Sequence, residues 1–218
     1  MGQFELYFQL GLNHILDLAG FDHILFVVVL CSLYSISDWK RIIILVTAFT
    51  IGHSVTLGLA TFQLLNIDSG LVEFLIPVTI CITAAGNILN PKASKGIQVN
   101  YFFAIFFGLI HGLGFSNYLK ALLGNEVSLL TPLFAFNIGL EAGQLLIVLF
   151  FLLFSLIPLK IFQLNQKQWT IVVSAIILGM AIMMMIDSKF WWVFSLNIKR
   201  LFILAGILSW DSLNLRPI

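Results

Sequence analysis

The chain is poor in charge. Asp, Glu, Lys and Arg make up 10% of its 218 residues, while 60% are hydrophobic. Soluble domains carry about 25% charged and about 45–50% apolar residues. A water-covered surface cannot be built from this composition, and a net charge of +1 leaves no basic face for nucleic acid. Cysteine is nearly absent: Cys31 and Cys81 each lie in an apolar run, where they read as packing residues rather than a disulfide framework. The first residues, MGQFELYFQL, hold no Lys or Arg, so the charged start of a secretory leader is missing. The mature chain is expected to begin at or near Met1, with no cleaved signal. No phosphate-binding loop occurs, so ATP hydrolysis would have to come from another protein or play no part.

What fills the chain instead is long apolar runs, with a mean hydropathy of +1.05. A helix needs about 20 mostly apolar residues to cross a bilayer core of about 30 Å. Six segments qualify: 10–34, 41–64, 70–90, 100–123, 129–157 and 168–187. They are too long and too little alternating for barrel strands. The expected fold is all-α, a polytopic membrane bundle of about six transmembrane helices over residues 1–189, seated in the lipid bilayer of the plasma (inner) membrane. Lys40, Arg41, Lys92, Lys95, Lys160 and Lys167 follow spans one, three and five. The other loops offer Asp68, Glu73, Glu126 and one cation, Lys120. Positive charge marks the cytoplasmic side, which places the N-terminus outside the cytoplasm. The tail, 190–218, is long enough to span but holds Lys199 and Arg200 at its centre. Each would cost about 2.5–3.5 kcal/mol there. An interfacial helix anchored by Trp191, Trp192 and Trp210 is expected, with a seventh spanning helix as the alternative.

The four histidines, His14, His23, His53 and His111, all fall inside expected spans. Ionisable groups within a membrane are expensive and usually functional. Counting at 1.5 Å per residue, Asp22, His23, His53, His111 and Glu141 all lie roughly 11–13 residues into their spans. Neighbouring spans run in opposite directions, so these groups converge near the midplane. At one depth they must pair, share protons or bind a cation. The helical count agrees: Asn137, Glu141 and Gln144 share a face of span five, and Thr47, Thr50, His53 and Ser54 form a polar stripe on span two. Thr83 and Asn87 align on span three, and Gly108 and Gly112 flank His111 at a spacing that lets a neighbouring backbone approach.

The stretch HILDLAGFDHILF, from His14 to Phe26, resists a simple reading. On a straight helix His14 and His23 point to opposite sides, about 13 Å apart along the axis. Unless Gly20 breaks the helix, His14 stands apart. Residues 4–18 then form a lead-in near the outer surface, with His14 and Asp17 at an entrance and Asp22–His23 in the central site.

At these residues the chain resembles the HupE/UreJ family of membrane proteins. The matching pieces are HILDLAGFDHILF, TAFTIGHSVTL, GLIHGLGF and FNIGLEAGQ, in that order, within the first 190 or so residues. The resemblance implies six or so spans and an association with uptake of nickel or cobalt for hydrogenase and urease. The Asp22–His23 pair is also similar to the H-x4-D-H signature of nickel/cobalt permeases, which implies that both handle metal. His14 stands eight positions before Asp22, further than in that pattern.

Imidazole and carboxylate ligands suit Ni²⁺, Co²⁺ or Zn²⁺. The leading expectation is a divalent-metal transporter with Asp22, His23, His53, His111 and Glu141 as ligands. His14 and Asp17 would collect the ion, and Ser54, Asn87, Asn137 and Gln144 would support the site by hydrogen bonds or as neutral ligands. No catalytic residue is assigned. An intramembrane zinc hydrolase is the alternative, with three histidines around Zn²⁺, Glu141 or Asp22 as base and Ser54 positioning a carbonyl. A metal-free subunit of a membrane complex would use the same groups as a hydrogen-bond network. Self-association or membership of a larger complex is compatible with each reading.

Overall fold

The computed structural model describes residues 2–91, 97–123 and 129–192, with the side chains of 97–100, 117, 120 and 123 left out. The interfacial-tail expectation and Lys92, Lys95 and Glu126 fall outside the described residues or side chains. Within them the chain is all helix: α1 (Gln3–Leu16), α2 (Asp22–Cys31), α3 (Trp39–Thr61), α4 (Ser69–Leu89), α5 (Ile97–Gly114), α6 (Ser116–Leu123), α7 (Leu130–Leu156) and α8 (Gln166–Asp187). Four stretches are long and apolar enough to cross a membrane: Ile36–Thr61, Ser69–Leu89, Leu130–Ile161 and Gln166–Asp187. Their outward residues are apolar, as at Phe134 and Phe150, which suits lipid. The protein is an integral membrane protein.

Two of the six expected spans are divided in the structure. Segment 10–34 divides into α1 and α2, and segment 100–123 divides at Phe115 into α5 and α6. The first break has a local cause. Asp17 leaves the helix with extended backbone, and its carboxylate accepts the Ala19 N–H at 2.9 Å. That side-chain turn competes with the helical bond, Gly20 follows it, and α2 restarts at Asp22.

The starts of α4 and α8 are fixed by side chains. Asp68 accepts the Leu71 N–H, and Asn165 and Gln168 form a reciprocal capping box. Helix packing rests on glycines. A Cβ at Gly52 would overlap the Ile105 carbonyl, and one at Gly108 the Phe49 carbonyl, so α3 and α5 touch backbone to backbone. The same holds for Gly11 against Phe136 and Gly139 against Phe8, which join α1 to α7. In lipid, where apolar side chains gain little by leaving their solvent, this close approach is what draws helices together.

Candidate metal centre

The break between α1 and α2 brings His14 to His23, their ring centres 4.8 Å apart. His53 of α3 completes the group, 6.2 Å from His14 and 5.9 Å from His23. One ligating nitrogen from each of the three lies within 4.8 Å of the others. The condition set at Gly20 is met: the helix breaks at 17–21, and His14 lies beside His23. His111 of α5 stands behind His23, with ring centres 5.3 Å apart.

Each imidazole that is oriented is oriented by its Nδ1. Asp22 Oδ1 accepts from His23 Nδ1 at 3.0 Å and from the His23 N–H at 2.9 Å. His111 Nδ1 donates to the Phe107 carbonyl at 2.9 Å. This fixes the tautomer and turns Nε2 inward in both rings. Among the described residues, the buried side-chain nitrogens without a hydrogen-bond partner are Nε2 of His14, His23 and His111, both ring nitrogens of His53, and Nε2 of Gln144. A buried polar atom left unpaired costs about 1–3 kcal/mol. Five such imidazole nitrogens on four neighbouring rings are a large unmet demand, and neutral imidazole nitrogen is the commonest metal ligand in proteins.

The remaining expected residues sit around this core in other roles. Glu141 accepts from Thr47 Oγ1 at 2.6 Å, Gln144 Oε1 from Thr50 at 2.8 Å, and Asn137 Oδ1 from Ser54 at 2.6 Å. They seam α7 to α3, and Glu141 is not part of the close histidine group. Asn87 lies elsewhere, donating to the Val29 carbonyl and Ser32 Oγ at the far end of α2.

A cavity of about 690 Å³ opens onto the cluster, with Asn13, His14, Asp17, Asp22, His23 and Glu73 among its lining. Asp17 lines this cavity with His14. Glu73 is the residue to which sequence reading gave too little weight. A signal was present, because Pro77 lies four residues on and lacks the N–H that would bond the Glu73 carbonyl. On the other side of the cluster, Phe26, Phe49 and Phe107 close the way inward. Phe26 lies 4.8 Å from Phe49 and 5.9 Å from Phe107. The vestibule thus presents carboxylates to water and imidazoles at its floor, an order suited to drawing in a cation and stripping its hydration.

The family model for HupE / UreJ protein matches residues 1–195. No curated protein and no solved structure gives a match. The family match takes in every described helix, the three clustered histidines and His111, and the chain belongs to the HupE/UreJ family.

Proposed function

We propose that the protein carries a divalent transition-metal ion, Ni²⁺ or Co²⁺ with Zn²⁺ as a further candidate, across the membrane through the His14–His23–His53 cluster. The observation that supports this most is the convergence of three imidazoles from three helices with their ring nitrogens unpaired. His111 supplies a fourth nitrogen behind the trio, and Asp22 holds His23 in the tautomer that presents Nε2. Lys167 and Asp38 share a surface pocket at the end of the bundle opposite the vestibule. With that end cytoplasmic by its positive charge, the vestibule and the N-terminus face outside, and the ion enters from there.

The hydrolase reading is less well supported. Ser54 Oγ lies 2.7 Å from the Thr50 carbonyl and 2.6 Å from Asn137, so its proton is engaged within the bundle. Asp22 is occupied by His23 and Glu141 by Thr47. Purified protein in proteoliposomes tests the proposal: uptake of Ni²⁺ or Co²⁺, abolished by His53→Ala, is the expected result. Absence of both uptake and metal-dependent stabilisation in the unaltered protein would refute it.

A further inference from the structure

The sequence is similar to itself at two places. GLNHIL (Gly11–Leu16) agrees with GLIHGL (Gly108–Leu113) at Gly, Leu, His and Leu, and each soon reaches Gly-Phe, at Gly20–Phe21 and Gly114–Phe115. FTIG (Phe49–Gly52) agrees with FNIG (Phe136–Gly139). The first motif ends the leading piece of each interrupted pair, α1 before α2 and α5 before α6. The second lies on the long helix that follows, α3 or α7.

Packing repeats with the motifs. Each of Gly11, Gly139, Gly52 and Gly108 abuts the carbonyl of the residue three before its partner glycine. Helix α1 packs on α7 as α5 packs on α3, α2 packs on α7 as α6 packs on α3, and α4 packs on α8. Buried Val72, Ile76 and Ile80 of α4 have buried counterparts in Trp169, Val173 and Ile177, at the same spacing as the helix caps Asp68 and Asn165. The second half is turned over relative to the first. Ser54 reaches Asn137 while Thr50, earlier on α3, reaches Gln144, later on α7, so these helices are antiparallel. Likewise Asn87, late in α4, and Thr170, early in α8, both bond Ser32.

Among the seams at which the two halves differ, one lies beside the vestibule. Helix α2 is closed on α8: Thr170 Oγ1 and Gln166 Nε2 both donate to the Ser32 carbonyl, at 2.6 and 2.9 Å. The equivalent pair, α6 and α4, stands apart, and Tyr118, Glu73 and Ile76 line the open vestibule between them. Inverted repeats in unequal conformations interconvert by exchanging them, which moves access from one face of the membrane to the other. We propose that residues 3–89 and 97–187 form such a repeat. The α2–α8 seam at Ser32, Thr170 and Ser174 is then a second ion route, closed here, that opens as the vestibule shuts. This deepens the transport reading, on which it rests for the identity of what passes.

The test uses the full chain in detergent, with Cys31→Ala and Cys81→Ala removing the native thiols. Ile76→Cys reports on the vestibule and Val173→Cys on its counterpart in the seam. Maleimide should label Ile76→Cys about tenfold faster than Val173→Cys. Bridging Glu73→Cys to Tyr118→Cys with a bifunctional methanethiosulfonate should raise Val173→Cys labelling by about tenfold, and reducing the bridge should reverse it. Unchanged Val173→Cys labelling in bridged protein that elutes as a single folded species overturns the proposal. Thr170→Val asks the same question without a bridge. It removes one bond to Ser32 and should itself raise Val173→Cys labelling, and no rise there also counts against the second route. Ni²⁺ binding is measured separately by calorimetry on unbridged protein. Exchange of labelling without Ni²⁺ binding would sink the metal reading and leave the repeat standing.

Discussion

His23 has one ring nitrogen committed to Asp22 and the other buried and unpaired. The two facts belong together, because the carboxylate decides which nitrogen faces the cluster. Replacing a carboxylate that orients a metal-bound histidine typically lowers affinity by about 10–100-fold. Asp22→Asn is expected to weaken Ni²⁺ binding by about that amount, and His23→Ala or His53→Ala to remove it from the calorimetric range. Glu141→Gln should stay within about a factor of three, since that carboxylate is engaged by Thr47 and lies outside the close group. Protonated imidazole cannot ligate, so affinity should fall once pH is low enough for protons to compete for the cluster. Titrations from pH 7.5 downward check the sign, and affinity that rises as pH falls would contradict imidazole ligation. The candidate residues were legible because charge is so scarce in this chain that every buried imidazole stands out. Their division of labour was not legible. Depth along a helix cannot tell a member of the close histidine group from a group hydrogen-bonded to the next helix, which is what separates Glu141 from His53.

The broken first span shows what a helical count misses. Counting angles assumes a straight axis, and the turn made by Asp17, Ala19 and Gly20 removes that assumption, bringing His14 to within 4.8 Å of His23. Gly20 and Asp17 are ordinary turn signals, but in an apolar run the hydropathy pattern outweighs them. The long helices α3, α4, α7 and α8 were readable almost to their ends because nothing interrupts their runs. Glycine contacts carry the element-level prediction. Gly108→Ala and Gly139→Ala each place a Cβ on a neighbouring carbonyl. Overpacking of this kind costs about 1–3 kcal/mol, so both should lower the melting temperature in detergent. Gly58→Ala and Gly179→Ala meet nothing within 4 Å and should melt with the parent protein or slightly above it. Equal melting temperatures for all four variants would refute the backbone-contact account.

The whole molecule places its rare polar groups where three helices and an acidic vestibule meet, and surrounds them with apolar helices suited to lipid. The repeat of G-L-x-H and F-x-I-G was present in the sequence but carries too few identical residues to stand out from a background of Leu, Ile and Phe. It becomes visible only when the reciprocal glycine contacts show which stretches correspond. In proteoliposomes, metal uptake should be lost in His23→Ala and slowed in Phe115→Trp, for different reasons. The first removes a ligand, and the second enlarges a side chain that stacks 3.9 Å from His14 at the floor of the vestibule. Phe115→Trp should therefore retain Ni²⁺ binding at equilibrium while slowing uptake. The most direct measurement of the central claim is elemental analysis of protein purified without a histidine tag and dialysed against Ni²⁺. The account predicts one bound ion per chain in the unaltered protein and none in the His14→Ala, His23→Ala, His53→Ala triple variant. A metal-free parent, or a triple variant that keeps its ion, would contradict it.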